Sequence, residues 1–403
     1  MADQRIVEHS HDSRNSKSSR NSNLSRREVL AAVGAAVGAG VASTSSAIAA
    51  AVSPTPARKG QPPPSLARPD AVNPRLGLDN FAVRAMGWKA RALVDYAASL
   101  AVDSLFITDL DAFESFDAAD LRALAASARE RQVAIQVGTW SICPTSKAFK
   151  PNWGSATEHL ALAIRVAKGV GSPVVRVVLG TWEDRLTDGG IERHIEETVK
   201  VCKANRARAV DANVKIAVEN HAGDMHSTEL VRLIEAAGTD YVGANLDMGN
   251  ALWTLEDPLD SLETLGRYAL TTSMRDSAVW TSENGARVAW TAMGEGHIDL
   301  KTYFARFREL CPGVPVHIET ISGFNREFAY LQPEFWKGWP DMPARSLARF
   351  EALARKGKPV PPWEPPAGQD RRAAEQAYQK GELERSLVYC RNELGLGRRH
   401  KGA

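Results

Sequence analysis

The 403-residue chain has almost no excess charge, few cysteines and no long apolar run, and each shortage removes a class of function. Its Lys and Arg number 50 against 48 Asp and Glu. Residues 1–49 hold six of the basic and four of the acidic ones, so the remainder carries 44 of each and is formally neutral. A neutral body lacks the basic footprint that nucleic acid demands. The four cysteines, Cys143, Cys202, Cys311 and Cys390, lie far apart with no CxxC pair. Four cysteines allow three disulfide connectivities, between which sequence does not choose, and they read as buried thiols. The longest weakly apolar stretch, 29–42, is too short and too rich in Gly for a membrane span of ~20 residues. No GxGxxG turn follows the first predicted strand, which argues against an open dinucleotide-binding sheet.

The N-terminal part differs in character from the rest. Met1 to Leu24 is rich in Ser, Asn and Arg without periodicity and reads as disordered. Ser25-Arg26-Arg27-Glu28-Val29-Leu30, an Ala/Gly/Val run to Ala42 and Ala47-Ile48-Ala49 follow. A charged start, a short h-region and a small-residue cleavage site resemble a twin-arginine export signal over 1–49. Val29 stands where that signal favours Phe. The resemblance implies a periplasmic or secreted protein with no membrane segment in its mature form. Residues 50–74 carry many Pro and read as a linker.

From residue 75 to 356 apolar runs alternate with amphipathic segments. Predicted strands are 76–78, 104–108, 134–137, 174–179, 215–218, 243–246, 269–273 and 314–318. Predicted helices are 89–100, 118–131, 158–168, 191–209, 228–237, 258–265, 300–310 and 343–355. Asp257-Pro258 spells a helix start, an N-cap with Pro at N1. Eight strands alternating with eight helices over ~280 residues fit an α/β fold, a (β/α)₈ TIM barrel. A Pro-rich connector and a charged helix, 370–394, form a C-terminal helical extension over 357–403, expected to pack outside the barrel or on a second subunit of a homo-oligomer.

Function concentrates at the strand ends. Lys215-Ile-Ala-Val-Glu219 is a buried-strand pattern closed by an acid, followed by Asn220-His-Ala-Gly223. The same grammar gives Asp247 in Gly243-Ala-Asn-Leu-Asp247-Met-Gly-Asn250 and Glu319 in Val314-Pro-Val-His-Ile-Glu319. Between them lies Leu270-Thr-Thr-Ser273-Met-Arg275-Asp276. The C-terminal lip of a parallel barrel is where such folds carry chemistry. Trp140, Trp182, Trp253 and Trp280 each fall just after a predicted strand, with Trp153 and Trp290 in the same loops. A ring of tryptophans at a mouth suits stacking on sugar rings.

These motifs, in this order, resemble the xylose isomerase-like TIM-barrel superfamily, and within it the sugar phosphate isomerase/epimerase branch. The resemblance implies a divalent metal (Mn, Mg, Co or Zn) held by Glu219, Asp247, Glu319 and a fourth ligand. Ser273 stands where relatives carry His, a departure that leaves three readings: an oxygen-preferring ion completed by water, Asp276 or His221; a weak and conditional metal; or a lost metal with only the sugar-binding cleft kept. The resemblance implies Glu219 and Glu319 as the catalytic acid–base pair, removing and returning a proton alpha to a carbonyl through an enediolate. His221, Asn250, Asp276, Arg275, His317, Trp140, Trp182 and Trp253 are the expected substrate contacts; His317, Arg176 and His226 have structural readings as well. Export shifts the expected small-molecule carbohydrate from a phosphorylated sugar to a free sugar, cyclitol or glycoside. Two alternatives stay open: a metal-dependent lyase acting on keto-glycosides, and an inactive sugar-binding barrel. The endonuclease branch of the superfamily is disfavoured by Asn250 and Ser273 at its His positions and by the neutral charge.

Overall fold

The computed structural model describes residues 73–398. The expected export signal at 1–49, nearly all of the linker and the last residues of the C-terminal extension, 399–403, lie outside the described residues. Eight parallel strands form the central sheet: β1 (Leu76–Asp79), β2 (Ser104–Ile107), β3 (Ala134–Ser141), β4 (Val174–Val178), β5 (Lys215–Glu219), β6 (Val242–Leu246), β7 (Ala269–Thr272) and, later in the chain, β10 (Val316–Ile318). Each of the first six pairs with its successor and β10 pairs with β1. The ring closes just past β7, where Met274 bridges Ile318 in parallel register. There the Met274 amide donates to the His317 carbonyl at 2.7 Å and the Glu319 amide to the Met274 carbonyl at 2.9 Å. The fold is the expected (β/α)₈ barrel.

Short apolar runs become strands here because both faces are covered, the inner by facing strands and the outer by helices. Ile216, Ala217 and Val218 are all fully buried. The interior also holds a polar layer: Thr271 donates to Gln136 across the barrel, and the His317 ring lies on Ser104 at 2.9 Å. Helix starts follow their sequence signals. Ser155 and Glu158 close a capping box on helix Ala156–Val170, and the Asp257 side chain accepts from the Leu259 amide. All four cysteines are buried free thiols, and no helix among the described residues is long and apolar enough to cross a membrane.

Two features depart from the simple alternation. After β7 the chain inserts a hairpin, β8 (Asp276–Ser282) and β9 (Gly285–Thr291), joined to β11 (Arg326–Phe328) in a three-stranded antiparallel sheet. A Cβ at Gly285 would overlap the Phe328 carbonyl oxygen, so glycine permits β11 to lie alongside. Helix Ala344–Ala354, expected as the eighth barrel helix, packs instead with this sheet: Phe350 and Ala354 share a core with Val279, Val288 and Trp290.

The eighth position against the barrel belongs to helix Arg371–Asn392. Its Leu383, Leu387 and Cys390 join the main core with Leu76, Leu78 and Ile318. Tyr96 reaches Glu384 at 3.2 Å, Gln379 accepts from the Ala85 amide at 2.9 Å, and the Gly397 amide donates to the Pro74 carbonyl at 2.9 Å. The C-terminal helix is thus an integral wall of the barrel. Leu383→Ala is therefore expected to cost about 3 kcal/mol, and truncation after residue 356 to abolish cooperative unfolding. Denaturation followed by circular dichroism checks both. A loosely attached extension would leave the midpoint of the truncated chain unchanged.

Candidate active site

Glu219 ends β5, Asp247 directly follows β6 and Glu319 directly follows β10, so three strands deliver carboxylates to one lip. All three are buried, and one oxygen from each lies within 4.8 Å of the other two. A fourth acid joins them: Asp79, at the end of β1, whose Oδ2 accepts from Ser273 Oγ at 3.1 Å. Two buried arginines face these acids. Arg176, in the middle of β4, donates from Nε to Glu219 Oε2 and from Nη1 to the Thr139 carbonyl at 3.2 Å. Arg275, just before β8, donates from Nη2 to both Asp247 Oδ2 and Glu319 Oε2. Amides complete the network. Asn245 Nδ2 donates to Glu219 Oε2 at 2.9 Å, Asn250 Nδ2 to Glu219 Oε1 at 3.1 Å, and the Asn250 backbone amide to Asp247 Oδ1 at 3.0 Å.

Four buried carboxyls against two guanidiniums do not all ionise together. Burial pushes Asp79 up to about 6 and Glu319 up to about 8, and raises Asp247 well above the usual carboxylate range, with Arg275 opposing it for the latter two. Burial acts upward on Glu219 too, but the Arg176 guanidinium, with His221 and Arg275, outweighs it and holds Glu219 below its ordinary value. Environment thus separates Glu219, an ionised base, from Glu319, which holds its proton. His221 stands beside them. Burial lowers its pKa against the pull of Glu219. In the neutral ring Nδ1 donates to the Gly180 carbonyl at 2.8 Å, which leaves Nε2 as an acceptor.

By distance the acidic triad could hold a divalent ion. Its surroundings do not fit one. Both oxygens of Glu219 and of Asp247, and Oε2 of Glu319, already accept hydrogen bonds. Ser273, the expected fourth ligand, gives its proton to Asp79 and accepts from Asn245 Nδ2 at 3.3 Å. A dication placed ~4 Å from the Arg275 guanidinium would meet a repulsion on the order of 8 kcal/mol at an effective dielectric of ~20. An ion could enter only by displacing Arg275.

The expected site residues divide in two. Glu219, Asp247, Glu319, Ser273, Arg275, Asn250 and His221 come together. The ring of Trp140 meets His221 edge-on at 5.2 Å, with its Nε1 donating to the Ala148 carbonyl. Trp182 and Trp253 lie under the Arg326 guanidinium at 5.2 and 4.9 Å, and Trp253 stacks on Trp290 at 4.6 Å. The Nε1 atoms of Trp182 and Trp253 and the Oδ1 atoms of Asn245 and Asn250 are buried without a partner.

Asp276 is elsewhere engaged. Its carboxylate accepts the amides of Ser277, Gly294 and Gly296 and so holds the loop that leads to helix Leu300–Leu310. Trp280 packs with Ala278, Ala289 and Val360, and His226 caps helix Ser227–Ala237. His317 is fully buried within the barrel, with Nε2 on Ser104 at 2.9 Å and Nδ1 at 3.2 Å from the Thr272 carbonyl. It packs as an interior residue.

Asp79, Asn245 and Arg326 escaped the sequence reading. Asp79 carried a usable signal, since Leu76-Gly-Leu-Asp79 is another apolar run closed by an acid. Asn245 lies inside a strand, and Arg326 opens β11, a short strand whose return to the mouth no local pattern encodes.

Burial pushes the His317 imidazole down to about 3. Between that value and the ordinary ~6.5 the unfolded chain binds the extra proton, so stability falls as pH drops through this window. His317→Gln is expected to flatten the dependence of unfolding free energy on pH between about 4 and 6 by up to ~1.4 kcal/mol per pH unit. Urea unfolding at several pH values checks this. A solvent-contacting His317 would leave the slope unaltered.

The profile of the xylose isomerase-like TIM barrel family matches residues 94–337, more than half of the chain. Among solved structures, D-psicose 3-epimerase in the presence of D-fructose aligns at 12% identity and TM-score 0.51, covering 80% of this chain and 99% of that one. L-ribulose 3-epimerase aligns at 16% identity and TM-score 0.46, covering 82% and 100%. The IOLI protein with a bound zinc atom aligns at 14% identity and TM-score 0.49, covering 71% and 100%. None of the curated proteins matches significantly. Identities this low speak to fold alone. The barrel, its lip of acids and the matched profile together establish that this chain belongs to the xylose isomerase-like TIM barrel family.

Proposed function

We propose that the chain is an exported isomerase or epimerase acting on a free sugar, a cyclitol or a glycoside by removing a proton alpha to a carbonyl. The observation that carries this reading is the pair of carboxyls with opposite proton preference at one mouth: Glu219 ionised beside Arg176, Glu319 pushed up to about 8. A base and an acid set apart by their surroundings are what successive proton removal and return require. Glu219 takes the proton from carbon, the electron pair passes into an enediolate, and Glu319 supplies a proton.

The rest of the mouth suits a carbohydrate. Trp140 and Trp182, half-buried at this mouth, are the rings offered for stacking on the apolar face of a sugar, while Trp253 is already covered by Trp290 and Arg326. The orphaned Nε1 atoms of Trp182 and Trp253 and Oδ1 of Asn250 call for polar partners, which hydroxyl groups provide as donor and acceptor at once. Arg26-Arg27 and the residues after them support export, and with it a substrate lacking phosphate. No step is assigned to a divalent ion, because Arg275 stands between two of the three acids that would hold it.

The test is hydrogen exchange. The full chain, incubated in deuterated water with free sugars, cyclitols and keto-glycosides, is expected to introduce deuterium alpha to the carbonyl of at least one of them, read by proton NMR. Glu219→Gln should slow that exchange by about 10²-fold or more. Accumulation of an unsaturated product would assign the lyase instead. Absence of exchange and of product with every class would reject both.

A further inference from the structure

Arg275 sits in a seat that several elements combine to build. Its side chain runs across Gly249, where a Cβ would overlap its Cγ and come within 2.9 Å of its Cδ. Only glycine leaves that path open. The guanidinium carbon lies 4.4 Å from the centre of the Trp290 ring, and Trp290 is fixed by its Nε1 donating to the Gly249 carbonyl at 3.0 Å. Trp290 is braced in turn by Trp253. At the far end Nη2 bridges Asp247 and Glu319. The hairpin supplies both halves of the clamp, since Arg275 enters β8 and Trp290 in β9 pairs with Ser277. The two acids are held through Nη2 alone, and Nε is buried and has no partner.

We infer that Arg275 is the resident cation of this site, taking the place between Asp247 and Glu319 and supplying from its own side chain the positive charge that draws electrons toward a substrate carbonyl oxygen. A planar guanidinium is permanently charged and holds two carboxylates while presenting further donors. One negative charge of the Asp247–Glu319 pair is thereby balanced from within, and the cluster needs no exogenous ion to stay folded. In the reaction proposed above, Glu219 accepts the proton from carbon and the C–H pair becomes the C=C bond. The carbonyl π pair moves to oxygen, where the Nε–H of Arg275 meets the developing charge. Proton return at carbon reverses these movements, so atoms and electrons balance without oxidant or reductant. The role in catalysis rests on the proposed function; the cation assignment rests on the seat itself.

The test is metal analysis on the full chain. Wild type, incubated with Mn²⁺, Zn²⁺ or Mg²⁺ and desalted, is expected to carry metal only at background by elemental mass spectrometry. Its thermal midpoint should be unchanged by chelator. The double variant Arg275→Met with Ser273→His, which removes the guanidinium and adds a ligand, is expected to gain about one Mn²⁺ per chain. One equivalent of metal in wild type, lost in Asp247→Asn, would overturn the inference. The wild-type measurement decides even if the double variant does not fold. Proton exchange abolished by chelator would likewise overturn it while leaving the isomerase reading standing. Metal-free wild type without exchange would keep the seat and discard the reaction.

Discussion

The bridge from Arg275 to Asp247 and Glu319 is the constraint on which the mouth of this barrel depends. Burying a carboxylate without a partner is costly, and this lip buries four within one cluster. Arg176 on Glu219 and Arg275 on the other pair supply the compensating charge, and asparagines and Ser273 divide the remaining hydrogen bonds among them. Removing either arginine would leave uncompensated buried charge, which typically costs about 3–5 kcal/mol. The arrangement is also asymmetric. Glu219, gripped by its own arginine, stays ionised, whereas Glu319 shares Arg275 with Asp247 and keeps a proton. Chemistry and stability therefore draw on the same few contacts.

That bridge depends on parts of the chain outside the barrel proper. The hairpin inserted after β7 carries Trp290 over the guanidinium, and β11 brings Arg326 across the Trp182 and Trp253 rings. Helix Ala344–Ala354 packs on the hairpin face that carries Val288 and Trp290, which is why it is not available as a barrel helix. Helix Arg371–Asn392 takes the eighth wall in its stead. The insertion thus has a structural cost of one displaced helix and a functional return, a roof that orders the mouth.

Much of this was legible in the sequence because it is local. Seven of the eight barrel strands begin within a residue of where apolar runs place them, and Glu219, Asp247 and Glu319 were marked by acids ending such runs. Ser273 could be recognised as a departure from the His of relatives, but its hydrogen bond to Asp79 joins strands far apart in sequence. The hairpin left a trace that went unread: alternating apolar positions on either side of Glu283-Asn284-Gly285, with Gly285 at the turn. From sequence Arg275 reads as a substrate contact. Its true partners come from two other strands, and only closure of the barrel puts them within reach. Asp276, next in sequence, turns instead to loop amides. His317 shares its strand face with Glu319, yet its depth in the barrel decides that it packs.

A crystal structure of the protein grown in excess Mn²⁺, with data collected at the manganese absorption edge, decides whether a guanidinium or a metal ion stands between Asp247 and Glu319. Planar side-chain density for Arg275 is expected to bridge the two acids against the Trp290 ring, with no anomalous peak at that position. An anomalous peak coordinated by Glu219, Asp247 and Glu319, with Arg275 swung aside, would contradict the guanidinium bridge.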